Sequence, residues 1–196
     1  AKKNVIAKKL HSVESLGSCT VIASDKTGTL TVNQQTAKKI LLPNNKEYDI
    51  DGVGYELEGK VIDSDEYSKE IALLGVLNNE ATIDNKKKIG DSIDIAFLVL
   101  GRKENIDISN IKIIDRIPYE SENKYSAVFY ELDGEMYCTV KGSLEKVQSF
   151  TNKINLKNDA DLEEQNESLA SRGYRVIALA TGKINAQDGY NEDDIK

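Results

Sequence analysis

Apolar positions along the chain change period several times, and each change predicts an element. Val5, Ile6, Leu10 and Val13 recur at helical spacing, predicting a short helix within Lys2–Leu16 that stops at Gly17. Thr20-Val21-Ile22-Ala23 is a continuous apolar run, the pattern of a buried strand. Lys38–Leu42 and Glu47–Tyr55 read as strands separated by the turn residues Pro43-Asn44-Asn45, with Gly52 and Gly54 interrupting the second. Asp65–Asn78 predicts a helix with Tyr67, Ile71, Leu74 and Leu77 on one face. A second helix is expected over Asp91–Glu104, capped by Asp91 and striped by Ile93, Ala96, Phe97 and Leu100. Between them, Lys86-Lys87-Lys88 reads as a solvated loop.

From Ile111 the period becomes that of strands. Ile111–Ile117, Ser126–Leu132 and Met136–Val140 are three, the last two joined by the hairpin signal Asp133-Gly134. Ser143–Phe150 and Asp159–Ser171 predict helices, the latter ending at Gly173, and Arg175–Ala180 a final strand. Antiparallel strands mixed with helices, without internal repeats, define an α+β class: an antiparallel sheet flanked by helices.

The chain of 196 residues is 39% hydrophobic and 30% charged, ordinary for a globular protein. A net charge of −7 argues against a general nucleic-acid or anionic-membrane binder. Cys19 and Cys138 lie at no metal-ligand spacing and suggest no disulfide framework. His11, the sole histidine, reads as a surface helix residue. No apolar run approaches the roughly 20 residues that span a bilayer, and the opening Ala1-Lys2-Lys3-Asn4 does not read as a signal peptide.

Candidate chemistry begins at Ser24-Asp25-Lys26-Thr27-Gly28-Thr29-Leu30-Thr31. Asp25 follows the strand-like run directly, and the carboxyl ends of strands are where ligands bind in open α/β sheets. A carboxylate there is placed to attack a phosphoryl group and form an aspartyl phosphate. Thr27 and Thr29 offer hydroxyl and backbone groups to phosphate oxygens, and Gly28 permits close backbone approach. Read alone, the stretch is also consistent with a glycine turn in which Asp25 is a turn residue.

Asp25-Lys26-Thr27-Gly28-Thr29-Leu30-Thr31 resembles the phosphorylation motif of P-type ATPases, the cation pumps that pass through a phospho-aspartate. The lead-in Val13-Glu14-Ser15-Leu16-Gly17-Ser18-Cys19-Thr20-Val21-Ile22 is similar to that of the type II group, which includes calcium and sodium–potassium pumps. Later stretches resemble the nucleotide-binding domain of the same family, in the family's order. Gly90-Asp91-Ser92-Ile93-Asp94-Ile95-Ala96 is similar to Gly-Asp-Pro-x-Glu-x-Ala, with Ser92 for proline and Asp94 for the glutamate that bonds the adenine amino group. Pro118-Tyr119-Glu120-Ser121-Glu122-Asn123-Lys124 resembles Pro-Phe-x-Ser-x-x-Lys, with Tyr119 as the adenine-stacking aromatic and Lys124 as the lysine that reaches the nucleotide. Lys141-Gly142 matches the start of Lys-Gly-Ala-Pro-Glu, and Gly173-Tyr174-Arg175 matches a motif whose arginine meets the phosphates. Taken singly, Tyr119, Lys141 and Arg175 read as a strand aromatic, a strand-end lysine and a rim charge; their order along the chain carries the resemblance.

The resemblance implies ATP as ligand, with Asp25 as phosphoryl acceptor, Lys26 neutralising charge and Mg2+ held by Asp25 and the Thr27 carbonyl. It implies a nucleotide contact set of Asp94, Tyr119, Lys124, Lys141, Gly142 and Arg175. Residues 1–32 are then expected to be the first piece of an α/β phosphorylation domain, 33–184 the nucleotide-binding domain, and 185–196 the start of the return. The chain is expected to be a monomeric piece from the cytosolic face of a membrane pump, partnered by the pump's phosphorylation, actuator and membrane domains. It is expected to bind nucleotide without sustained ATPase activity. Calcium is the first expectation for the ion, with sodium–potassium or proton transport open. The rival readings are a haloacid-dehalogenase-type phosphatase and a non-enzymatic nucleotide-binding module.

Overall fold

The computed structural model describes residues 17–21, 23–24, 33–84, 87–151 and 159–195. The chain divides into two units, Ala1–Asn33 and Gln34–Lys196. In the first, the expected helix at Lys2–Leu16 and the residues Asp25, Lys26 and Thr27 lie outside the described residues. The buried strand expected at Thr20–Ala23 is not formed in its described part: Thr20, Val21 and Ala23 are exposed, Val21 at 80%. A strand needs a neighbour for its backbone hydrogen bonds, and none is present among the described residues of that unit.

The second unit has a four-stranded antiparallel sheet, β5-β6-β7-β8, as its centre. It runs through β5 (Lys112–Glu120), β6 (Tyr125–Leu132), β7 (Glu135–Gly142) and β8 (Ala178–Lys183). Two small antiparallel ribbons accompany it: β1 (Lys39–Leu41) with β2 (Glu47–Asp49), and β3 (Thr82–Asp84) with β4 (Lys87–Ile89). Four helices complete the unit among the described residues: α1 (Glu66–Leu77), α2 (Ser92–Lys103), α3 (Leu144–Phe150) and α4 (Asp159–Ser171). The α+β class read from the sequence holds.

Local chemistry explains where the helices start. Asp65 accepts hydrogen bonds from the Tyr67 and Ser68 amides, and Ser68 Oγ accepts from the Asp65 amide, closing a reciprocal cap on α1. Asp91 caps α2 through the Ile93 amide. Glu104, buried at the end of α2, accepts from Ser64 and Ser68 at the start of α1, tying the two helices antiparallel. The cap at Asp65 is pH-sensitive: the Lys46 ammonium 2.5 Å away, helped by Tyr48, holds the carboxyl well below its usual range. A depressed folded-state pKa contributes stability above about pH 4 that is lost as pH falls further. Asp65→Asn is therefore expected to flatten the acid limb of the stability–pH curve below about pH 4, measured by urea unfolding; an unchanged limb would contradict the role.

Two cores lie beside the sheet. Ile40, Leu42, Tyr48, Ile50, Val61, Ala72 and Leu100 join the β1–β2 ribbon to α1 and α2. Tyr125, Ala127, Phe129, Cys138 and Val140 from one sheet face pack with Val147 and Phe150 of α3. Tyr190 stacks on Phe129 with ring centroids 4.5 Å apart, bringing the 184–195 segment onto that face. Burial pushes the Cys138 thiol up to about 12. The opposite face carries Ser126, Thr139 and Lys141 toward the end of α1. Thr139 Oγ1 is fully buried there without a hydrogen-bond partner. An orphan hydroxyl costs its desolvation, so Thr139→Val is expected to be neutral or to stabilise by up to about 1 kcal/mol; a loss of that size on thermal unfolding would show the hydroxyl bonded.

Further sequence expectations shift. Tyr67, expected on the apolar face of α1, is 50% exposed, and Ser68 and Ala72 are buried instead. Lys87 and Lys88 lie in β4 rather than a loop, because a three-residue ribbon presents no apolar alternation. β2 ends at Asp49, and residues 51–59 form a loop in which Gly52 and Gly54 take positive φ. The last strand begins at Ala178, not Arg175, because its register is set by β7, pairing Gly142 with Ala178 and Tyr137 with Lys183. As an edge strand it accepts the polar Thr181, Gly182 and Lys183.

Candidate functional site

Register decides which residues share one end of the sheet. Antiparallel pairing places the end of β5, the start of β6, the end of β7 and the start of β8 side by side. Glu120 pairs with Tyr125, Tyr125 with Gly142, and Gly142 with Ala178. Tyr119, Lys124, Lys141, Gly142 and Arg175 all fall within a few residues of that row. Positions spread over more than fifty residues of chain are brought to one edge.

Each side chain reaches its position for a local reason. Pro118 donates no hydrogen bond, and the β5–β6 register slips between Ile117 and Glu120. The slip lies on an edge strand and leaves Tyr119 54% exposed, its ring available as a flat face. Lys124 closes the turn before β6 with φ +59, its amide bonded to the Glu120 carbonyl. Gly142 lies so close to this turn that a Cβ there would meet the Lys124 carbonyl oxygen at 2.4 Å. Arg175 is exposed in the segment leading into β8.

Lys141 and Asp94 are joined directly. Lys141 Nζ stands 2.5 Å from Asp94 Oδ1, with the two side chains only 9% and 13% exposed. The ammonium also donates to the Asn78 carbonyl at 2.5 Å and lies 5.8 Å from the centroid of the Phe97 ring. Asp94 is held in turn: its Oδ2 accepts from the Glu80 amide at 3.0 Å, and its own carbonyl accepts from Asn79 Nδ2 at 2.8 Å. Arg116 Nη1 bonds the Leu77 and Asn79 carbonyls, so Lys141 and Arg116 both place positive charge on the last carbonyls at the end of α1. That is the favourable sign for a helix C-terminus.

A cavity of about 560 Å3 lies alongside, lined by Ile93, Phe97, Arg175, Ile177 and Leu179 among others. It meets the cluster through Phe97 and through Leu179, the cross-strand neighbour of Lys141. Asp94, Tyr119, Lys124, Lys141 and Gly142 do not line it. A second cavity of about 790 Å3, around Lys60–Leu73 and Lys103–Asp107, contains none of the six expected residues. Asn78, Asn79, Glu80 and Arg116 were not expected at the site; the polar Asn78-Asn79-Glu80 following a helix reads as an ordinary loop until its partners are known. No group of three or more metal-ligating side chains is present among the described residues.

An apolar cavity with Arg175 in its lining suits a ligand with a planar ring and an anionic end. Comparison with known proteins agrees with the α+β fold. The family model for the P-type ATPase cytoplasmic domain N matches residues 68–195. Calcium-transporting ATPase type 2C member 2 of Homo sapiens is 35% identical over an alignment covering 93% of this chain and 22% of that protein. Type 2C member 1 of Mus musculus is 35% identical, covering 92% and 22%. Cation-transporting ATPase pma1 of Synechocystis sp. is 31% identical, covering 92% and 23%. The chain thus spans about a fifth of the length of these relatives. Among the described residues no helix is long and apolar enough to cross a membrane. The chain belongs to the P-type ATPase cytoplasmic domain N family.

Proposed function

We propose that this domain binds ATP at the sheet edge formed by Tyr119, Lys124, Lys141, Gly142 and Arg175, as the nucleotide-binding part of a pump that moves cations, calcium first among them. The observation that supports the reading is the register: it brings the backbone near the five residues to one end of the sheet, and Lys141 pairs with Asp94, the sixth. The ligand fits what is present. The exposed Tyr119 ring supplies a stacking face, and Asp94 supplies an acceptor for the adenine amino group. Lys124, Lys141 and Arg175 supply positive charge for phosphates in a chain of net charge −7. The calcium-transporting relatives support the choice of ion.

In the intact pump a carboxylate oxygen of Asp25 would take the γ-phosphoryl group as its bond to ADP breaks and ADP leaves, with Lys26 offsetting charge; Asp25 and Thr27 would hold the Mg2+ that neutralises the phosphates. The phosphorylation, actuator and membrane domains of the same protein are the partners, and the domain works at the cytosolic face. The stretch present here binds nucleotide without sustained turnover.

Titration with ATP, followed by backbone amide NMR, tests the nucleotide site. Shifts clustering at Asp94, Tyr119, Lys124, Lys141 and Arg175, and weakened by Arg175→Ala, are expected. No shifts, or shifts confined to Asp25–Thr31, would sink the reading. In the full-length protein, Asp25→Asn is expected to abolish hydroxylamine-labile phosphorylation from ATP.

A further inference from the structure

We infer that Asn78 is the positioning residue for the Lys141 ammonium. The inference builds on the ATP site proposed above, in which Lys141 meets the nucleotide. Asn78 follows the last turn of α1 and is 2% exposed. Its side-chain amide donates to the Ser126 carbonyl of β6 at 2.9 Å and to the Thr139 carbonyl of β7 at 3.1 Å. Its Oδ1 accepts from Ser126 Oγ at 2.8 Å. Its backbone amide bonds Leu74, and its backbone carbonyl accepts from Lys141 Nζ. Both side-chain donors, the side-chain oxygen and both backbone groups are thus engaged, as a buried amide requires.

The partners are the ones that define where Lys141 stands. Ser126 is the cross-strand partner of Lys141, and Thr139 precedes Lys141 by two residues on the same face of the same strand. Asn78 therefore bolts the helix end to both strands and offers its carbonyl to the lysine between them. The next two residues hold the counterion, through the Asn79 side chain and the Glu80 amide on Asp94. A lysine is a flexible point charge with three rotatable donors. Two of its three donors are directed here by a segment that the strands themselves locate, so the ammonium is presented in one place rather than searching for it.

The test is a double-mutant cycle of ATP affinity with Asn78→Ala, Lys141→Ala and both, alongside an NMR signal from the Lys141 side-chain ammonium. Wild-type protein is expected to show a slowly exchanging Lys141 ammonium resonance, lost in Asn78→Ala. ATP affinity is expected to fall roughly tenfold in Asn78→Ala, and to change less than about twofold when Asn78→Ala is added to Lys141→Ala. Equal losses in both backgrounds, or an unchanged ammonium resonance, would overturn the inference and leave Asn78 a purely structural tie. If Asn78→Ala does not fold, Ser126→Ala removes one bond to Asn78 while sparing the amide. It is expected to shift the ammonium resonance and weaken ATP binding about twofold; no change in either overturns the inference. Wild-type protein that fails to bind ATP while its ammonium resonance depends on Asn78 would defeat the proposed function and leave the positioning intact.

Discussion

Asp94→Ala is expected to destabilise the domain by about 3 kcal/mol, because it strands the Lys141 ammonium in a site that excludes water. The lysine side chain is 9% exposed, and its other neighbours are one carbonyl and an aromatic ring. A buried pair contributes little net stability over apolar residues of similar volume, since desolvation offsets the attraction, but removing one partner leaves an uncompensated charge. The substitution also frees the Glu80 amide that Asp94 Oδ2 accepts. Urea midpoints measure the effect. The comparison is Asp49→Ala, which breaks a pair with Lys39 whose aspartate side chain is 69% exposed and is expected to cost less than about 1 kcal/mol. Equal losses for the two would refute the argument. Changing both members together, Asp94→Leu with Lys141→Met, is expected to recover most of the stability and none of the ATP binding.

Gly142→Ala is expected to cost about 2–3 kcal/mol, the upper part of the range for overpacking a closed site. An added Cβ would stand 2.4 Å from the Lys124 carbonyl oxygen and 3.0 Å from Tyr125 Cα. These are backbone atoms, and the turn that carries them is held by the Lys124 amide on Glu120 and the Ser143 amide on the Lys124 carbonyl. Relief requires moving the β6 start away from the β7 end, which separates Lys124 from Lys141. Nucleotide affinity should therefore fall with stability. Gly182→Ala in β8 is the control: nothing lies within 4 Å of its added Cβ, so it should match or slightly exceed wild type. A thermal midpoint for Gly142→Ala equal to that of Gly182→Ala would show the contact to be slack.

Both predictions concern residues that stood out in the sequence for reasons unrelated to the contacts that now explain them. Lys141-Gly142 was legible as a motif. That the lysine would be buried against Asp94, and the glycine pressed on a turn carbonyl, depended on strand partners no local pattern specifies. Arg175 was legible too, but its expected place inside a strand was not kept, because the strand's start is decided by pairing with β7.

The sequence by itself determined the elements whose signals are local. Asp65 and Asp91 start helices through their own side chains, and Asp133-Gly134 turns the hairpin between β6 and β7. It also determined the family, since motif residues in order need no coordinates. Only the tertiary structure decided which of those residues meet. The slip in β5 at Pro118 turned Tyr119 outward, the β5-β6-β7-β8 register set the cations along one edge, and Asn78 changed from a helix end to the tie between α1, β6 and Lys141. Caps, turns and periodicity act over a few residues and are written into them. Register and buried polar pairing join residues tens of positions apart, and their free energy exists only once the sheet has closed.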